Sequence, residues 1–136
     1  MIVQVEVAGK DTAVDFNRAV VSDQQVVNTI AITVQNAYPW ENTPALTQFL
    51  QLQAKYNHFK NLGIISLDGQ VIASQERKLG KAWVEYVLTN TLQKAIFLSD
   101  SQIDTDDGSS VIVSAAILHS EDKPVGVLFA VLPLER

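Results

Sequence analysis

Residues that could do chemistry are few in this chain and far apart. The only histidines are His58 and His119, and there is no cysteine. Without a thiol or a helical His/His pair, a zinc site would have to be assembled from carboxylates, and none is expected. The six glycines stand at 9, 63, 69, 80, 108 and 126, too scattered to form a loop that cradles phosphate. No Gly-x-Ser-x-Gly nucleophile elbow occurs. The densest group of hard ligands is Asp104-Thr-Asp-Asp-Gly108. If Gly108 took the sixth place of a calcium loop, the first would be Ile103 and the twelfth Ser114, so the loop would lack a carboxylate at both ends. A solvated hairpin turn with Gly108 at positive φ explains the tract better. The inventory therefore points away from an enzyme and calls for no metal or cofactor.

Charge and composition narrow the partners. The chain has 136 residues, 15 Asp and Glu against 10 Lys and Arg, and 47% apolar residues. An acidic chain with no basic run interleaved with aromatics offers no footprint for a phosphate backbone, so nucleic acid is not an expected partner. A domain of this length buries roughly 68% of the surface its unfolded chain exposes and needs no staple. A single domain over 1–136 is expected. The longest uncharged stretch, Gln24 to Trp40, carries five Gln or Asn, and the apolar run Pro124 to Leu134 is too short to span a bilayer as a helix. Met1-Ile-Val-Gln-Val-Glu has neither the basic nor the apolar region of a signal peptide. A domain lying between two membrane spans would look the same.

The elements that must position any site follow from periodicity. Phe16, Val20, Val27, Ile30, Val34 and Ala37 recur at spacings that predict one long helix over 11–37, with Asp23 interrupting its apolar face, Thr12 and Asp15 resembling a capping box, and Pro39 ending it. Val3, Val5 and Val7 alternate like a strand ahead of it. Asn42 or Thr43 caps a second helix that begins at Pro44 and runs to about Tyr56. Leu62–Leu67 and Gln70–Ser74 flank Asp68-Gly69, which predicts a two-residue hairpin pairing Ser66 with Val71 and Ile65 with Ile72. Gly80 precedes a third helix over 81–93, striped by Trp83, Val84, Val87, Leu88 and Leu92. Strands over 95–99, 109–118 and 124–132 follow.

The last two strands, Val111 to Leu118 and Val125 to Leu132, are apolar on both faces, so both faces of their sheet must be covered. Short connections at 100–108 and 120–123 make the sheet antiparallel. The expected fold is α+β: a five-stranded antiparallel sheet, with the long first helix on one face and the shorter helices and a pocket on the other.

Several segments in this order resemble the Cache family, PAS-like sensor modules of bacterial receptors. They are Phe59-Lys-Asn-Leu-Gly-Ile-Ile-Ser-Leu-Asp-Gly-Gln-Val-Ile-Ala-Ser74, Leu79-Gly80, Ala95-Ile-Phe-Leu-Ser99, Ser110 to Leu118, and Pro124-Val-Gly-Val-Leu-Phe129. The resemblance implies a single-unit extracytoplasmic (periplasmic) ligand-sensing domain of a transmembrane receptor of the chemoreceptor, histidine kinase or cyclase type. It also implies that the first helix and last strand lead into membrane spans, and that a homodimer could form through the long helix. A profilin-like or roadblock-like interaction module, in the cytoplasm and without a small ligand, is the alternative.

In the resembled architecture the pocket lies between the sheet and the connection after its second strand, near Ser74, Arg77, Lys78, Lys81, Trp83 and Tyr86, with Phe97 and Ser114 below. Carboxylates are common ligands in the family, which makes Arg77 or Lys81 the expected anion contact. Trp83 and Tyr86 either stack on a ligand or pack in the core. Ser114 is either a pocket hydroxyl or a buried group bonded to backbone. Tyr56 and His58 would stand at the pocket rim. The closely spaced Tyr, Arg and Trp of amino-acid-binding tandem relatives is missing, since Arg18 stands alone between Asn17 and Ala19, and this argues against an amino-acid ligand.

Overall fold

A computed structural model describes residues 22–75, 79–104 and 107–134. The expected strand at 3–7, the Thr12 capping box, the beginning of the long helix with Phe16 and Val20, and Arg77 and Lys78 lie outside the described residues. Within them, helix α1 occupies 22–35. It buries Val27, Ile30, Ala31 and Val34, with Asp23 buried one turn before Val27. Ala37 falls past the helix end and is exposed. The Trp40 indole donates to the Val34 carbonyl at 2.9 Å and so satisfies part of that end.

Helix α2 (Pro44–Asn57) has Thr43 as N-cap, its hydroxyl accepting from the Leu46 N–H, and Pro at the first position. Strands β1 (Asn61–Ser66) and β2 (Val71–Ala73) form a hairpin, then come α3 (Lys81–Lys94), β3 (Ile96–Leu98), β4 (Gln102–Ile103), β5 (Ser110–Ser120) and β6 (Lys123–Pro133). All pairs are antiparallel, in the order β2-β1-β6-β5-β3, with β4 also pairing β5. The fold class matches the sequence expectation, with one strand added. β4 sits inside the 100–108 connection, and β3 and β4 share one edge of β5, pairing with 114–116 and with 110–111.

The β1–β2 register is one residue off the expected one: Ile65 faces Val71 and Ile64 faces Ile72. The reason lies at Ser66. Its N–H donates to the Gln70 carbonyl at 2.9 Å and its hydroxyl accepts from the Gln70 N–H, so Leu67, Asp68 and Gly69 form a three-residue loop. Gly69, at φ 89°, supplies the left-handed position that such a loop requires.

The sheet separates two apolar layers, as strands apolar on both faces demand. One layer joins α1 and α2 (Val27, Ile30, Val34, Leu50, Ala54) to Leu62, Ile64, Ala116, Leu118, Leu128 and Ala130. The other joins α3 (Val84, Val87) to Ile65, Phe97, Val111, Val113, Ala115, Val127 and Phe129. The second helix is thus on the α1 side, not the pocket side. Its Leu50 and Ala54, four apart on one face, reach the same layer as Val34, and among the described residues α3 is the helix that covers the opposite face.

Candidate ligand-binding site

The space between α3 and the sheet holds two neighbouring cavities. A cleft of about 630 Å³ runs between the β1–β2 hairpin and α3, bordered by Asp68, Val71, Ala73, Lys81, Val84 and Glu85. A cavity of about 230 Å³ lies beneath the first turn of α3, over Asn61, Val111, Val113 and Val131, with Gly80, Trp83, Gln102 and Asp104 around it. Leu79 borders both.

The smaller cavity is bordered by two buried polar residues, Asn61 and Asp104. Strand period two places Asn61, Gly63 and Ile65 on the α3 face and Leu62 and Ile64 on the α1 face. Asn61 is 1% exposed. Its Oδ1 accepts from the Leu62 N–H at 2.9 Å, the Ser74 hydroxyl at 2.9 Å and the Gln75 N–H at 3.2 Å. Its Nδ2 is buried without a partner.

On the other side, Asp104 is buried and its carboxylate meets the Lys60 ammonium at 2.8 Å. The same ammonium reaches Asp107 at 2.5 Å and the Ser109 hydroxyl at 2.7 Å. Burial alone would push the Lys60 pKa down; the hydrogen bonds and charges of Asp104 and Asp107 outweigh it and leave it raised. The hydrogen bond from Lys60, with those from Ser109, holds the Asp107 carboxyl down at about 2. Backbone bonds from the Asp104 N–H to the Ser109 carbonyl (2.8 Å) and from the Gly108 N–H to the Asp104 carbonyl (2.7 Å) close the turn, with Gly108 at φ 74°. Gly108 takes the positive φ that the sequence leads one to expect, whereas Asp104 is a buried ion-pair member and not a solvated turn residue. Among the described residues no group of acidic or histidine side chains could hold a metal ion.

Trp83 forms one wall of the cavity, its indole donating to the Gln102 side-chain oxygen at 3.2 Å and packing edge-on to Phe129 at 5.4 Å. Above it α3 starts at Gly80, an N-cap without a side-chain hydrogen bond. The first N–H groups of a helix lack intrahelical acceptors, which makes this end favourable to negative charge.

The structure brings together some of the sequence candidates and separates others. Lys81 borders the larger cleft and Trp83 the smaller cavity. Tyr86 packs edge-on to Phe97 at 5.5 Å and borders neither. Ser114 is fully buried but faces the α1 side, because Val113 and Ala115 on either side of it face α3; its hydroxyl has no partner. Tyr56 is 82% exposed and borders a shallow groove between α1 and α2. His58 is the exposed C-cap of α2 at φ 61°. Tyr56 and His58 are away from the α3 face because α2 packs against the other layer. Asn61, Gln102 and Asp104 are the site residues that the sequence reading passes over. The Lys60–Asp104 pair spans 44 positions, and Asn61 reads as an ordinary polar residue ahead of a strand.

No protein-family model matches the chain, and no curated protein does. Solved structures do. The sensory domain of the Campylobacter jejuni chemoreceptor Tlp3 superposes with a TM-score of 0.73 at 18% identity, over 90% of this chain and 55% of that one. The ligand-binding domain of the Pseudomonas aeruginosa amino-acid chemoreceptor PctC, in complex with GABA, gives 0.74 at 11% identity, over 93% and 61%. That of the Pseudomonas fluorescens chemoreceptor CtaA, in complex with L-serine, gives 0.66 at 17% identity, over 84% and 51%. The chain spans between half and three-fifths of the length of these structures. It shares its fold with these chemoreceptor ligand-binding domains.

Proposed function

We propose that this chain is the small-molecule-sensing domain of a bacterial transmembrane signalling receptor, of the chemoreceptor, histidine kinase or cyclase type, and that it is not an enzyme. The observation that supports this most is the cavity under α3. On a fold shared with chemoreceptor ligand-binding domains, it combines apolar walls, a buried amide and an uncapped helix start, which is the composition of a small-molecule site. The ligand is a small carboxylate, met by the α3 start with Lys81 and Trp83 close by. Two of the structures with which the chain shares its fold were solved with GABA and with L-serine bound. No described helix is long and apolar enough to cross a membrane. The domain sits on the extracytoplasmic side, with the anchoring segments elsewhere in its receptor, and pairs with a second copy through the long first helix. A ligand that binds two cavity shapes unequally shifts their populations, and the change leaves through α1 and β6.

Thermal denaturation of the purified chain against small acids, amines, amino acids and purines tests the reading. A ligand at 100 times its Kd adds about 2.7 kcal/mol. At about 2.1 cal/mol/K of unfolding entropy per residue, a 136-residue chain then melts about 9 °C higher. A flat response across the whole panel favours the interaction-module alternative.

A further inference from the structure

The Asn61 carboxamide has only one possible orientation. Three donors, the Leu62 N–H, the Ser74 hydroxyl and the Gln75 N–H, converge on one of its terminal atoms, and an amide nitrogen cannot accept any of them. Ser74 and Gln75 lie beyond β2, on one side of β1, so the NH2 group is turned to the other side, where Val131 of β6 pairs with Asn61. Val131 and Asn61 both border the smaller cavity. Two N–H donors are thus held there in a buried position with no acceptor among the described residues. A buried donor left unsatisfied is costly, and this one differs from the unpartnered Ser114 hydroxyl in belonging to a residue that borders a cavity.

Resting on the reading of this face as a ligand site, we infer that Asn61 is its specificity-determining donor. It gives a hydrogen bond to a carboxylate or carbonyl oxygen of the ligand, and Ser74 is the positioning residue that keeps the amide turned toward the cavity. The start of α3 favours the same electron-rich end of the ligand, while Val111, Val113 and Val131 receive an apolar body. A volume of about 230 Å³, at roughly 30 Å³ per water, accommodates about seven or eight non-hydrogen atoms.

The test is a titration of the 15N-labelled chain with straight-chain carboxylates from acetate to valerate, the matching primary amides and the matching primary amines, following the Asn61 side-chain NH2 signals by NMR. The expected result is that a carboxylate or an amide binds on the α3 face and shifts those signals. Asn61→Asp, which puts an acceptor where the donor stood, then weakens binding at least tenfold. Ser74→Ala weakens it less and displaces the NH2 signals before ligand is added, whereas Ser74→Thr restores both. Preference between a carboxylate and its amide identifies which oxygen is read. A carboxylate or amide that binds without moving the Asn61 signals overturns the inference and leaves the sensing function standing, as does binding confined to amines. Binding by no member of any class removes both. The wild-type signals decide the matter even if Asn61→Asp fails to fold.

Discussion

Gly63→Ala tests the packing that joins the sheet to the cavity. Gly63 is buried in the middle of β1, opposite Ala73 on one side and Phe129 on the other. A methyl group there would stand 2.7 Å from Cε1 and from Cζ of Phe129 and 2.9 Å from the Ala73 Cβ. The Phe129 ring is fully buried and lies edge-on to Trp83, whose indole is tied to Gln102, so the ring cannot swing aside without moving the cavity wall. Overpacking of this kind costs about 1–3 kcal/mol, and removing the backbone freedom of a strand glycine returns about 0.5–1 kcal/mol. The net loss is about 1.5 kcal/mol. With about 0.29 kcal/mol/K of unfolding entropy for a chain this long, the melting temperature falls by about 5 °C. Phe129→Leu removes the ring atoms that clash, so in urea denaturation the double variant should be about 1 kcal/mol more stable than the sum of the single losses. A Gly63→Ala chain as stable as wild type, or strictly additive losses, would refute the proposed close packing.

Three further outcomes follow from the same contacts. Ser114→Ala removes a buried hydroxyl that has no partner and should raise stability by about 1 kcal/mol in urea denaturation, without altering the affinity of any ligand bound on the α3 face. Lys60→Met takes the cation away from the buried Asp104 and should cost about 3 kcal/mol, read as a lowered denaturation midpoint. The Asp107 carboxyl is held at about 2 in the folded chain, below its ordinary 3.8; its contribution is therefore complete above about pH 4 and is lost as the pH falls toward 2. Asp107→Asn should remove that contribution, lowering stability by a constant amount above about pH 5 without changing the slope there, and flatten the profile between about pH 4 and 2.

Much of the architecture was readable from the chain because the signals were local. Pro44 after Thr43, Gly80 before a striped helix, and strands apolar on both faces each fixed an element or a layer. The differences arise where side-chain bonding or pairing that the apolar pattern does not encode decides the outcome. Ser66 bonding to Gln70 within the turn shifts the hairpin by one residue, and β4 is only two residues inside what reads as a turn. Ser114 could not be assigned to a face from sequence, because its neighbours on β5 are apolar on both sides and give no alternation. At the candidate site, the family resemblance directs attention to Lys81 and Trp83, which border the two cavities, whereas the Asn61 amide is oriented only when Ser74 and Gln75, 13 and 14 positions away, fold against it.

Reception of a small ligand between α3 and the sheet is open to a hydrogen-exchange measurement with and without a compound that raises the melting temperature. Exchange should slow at 79–84, at 102–104 and at the start of β1, with no change along the α1–α2 groove around 53–58. Protection confined to that groove, or none anywhere, would contradict it.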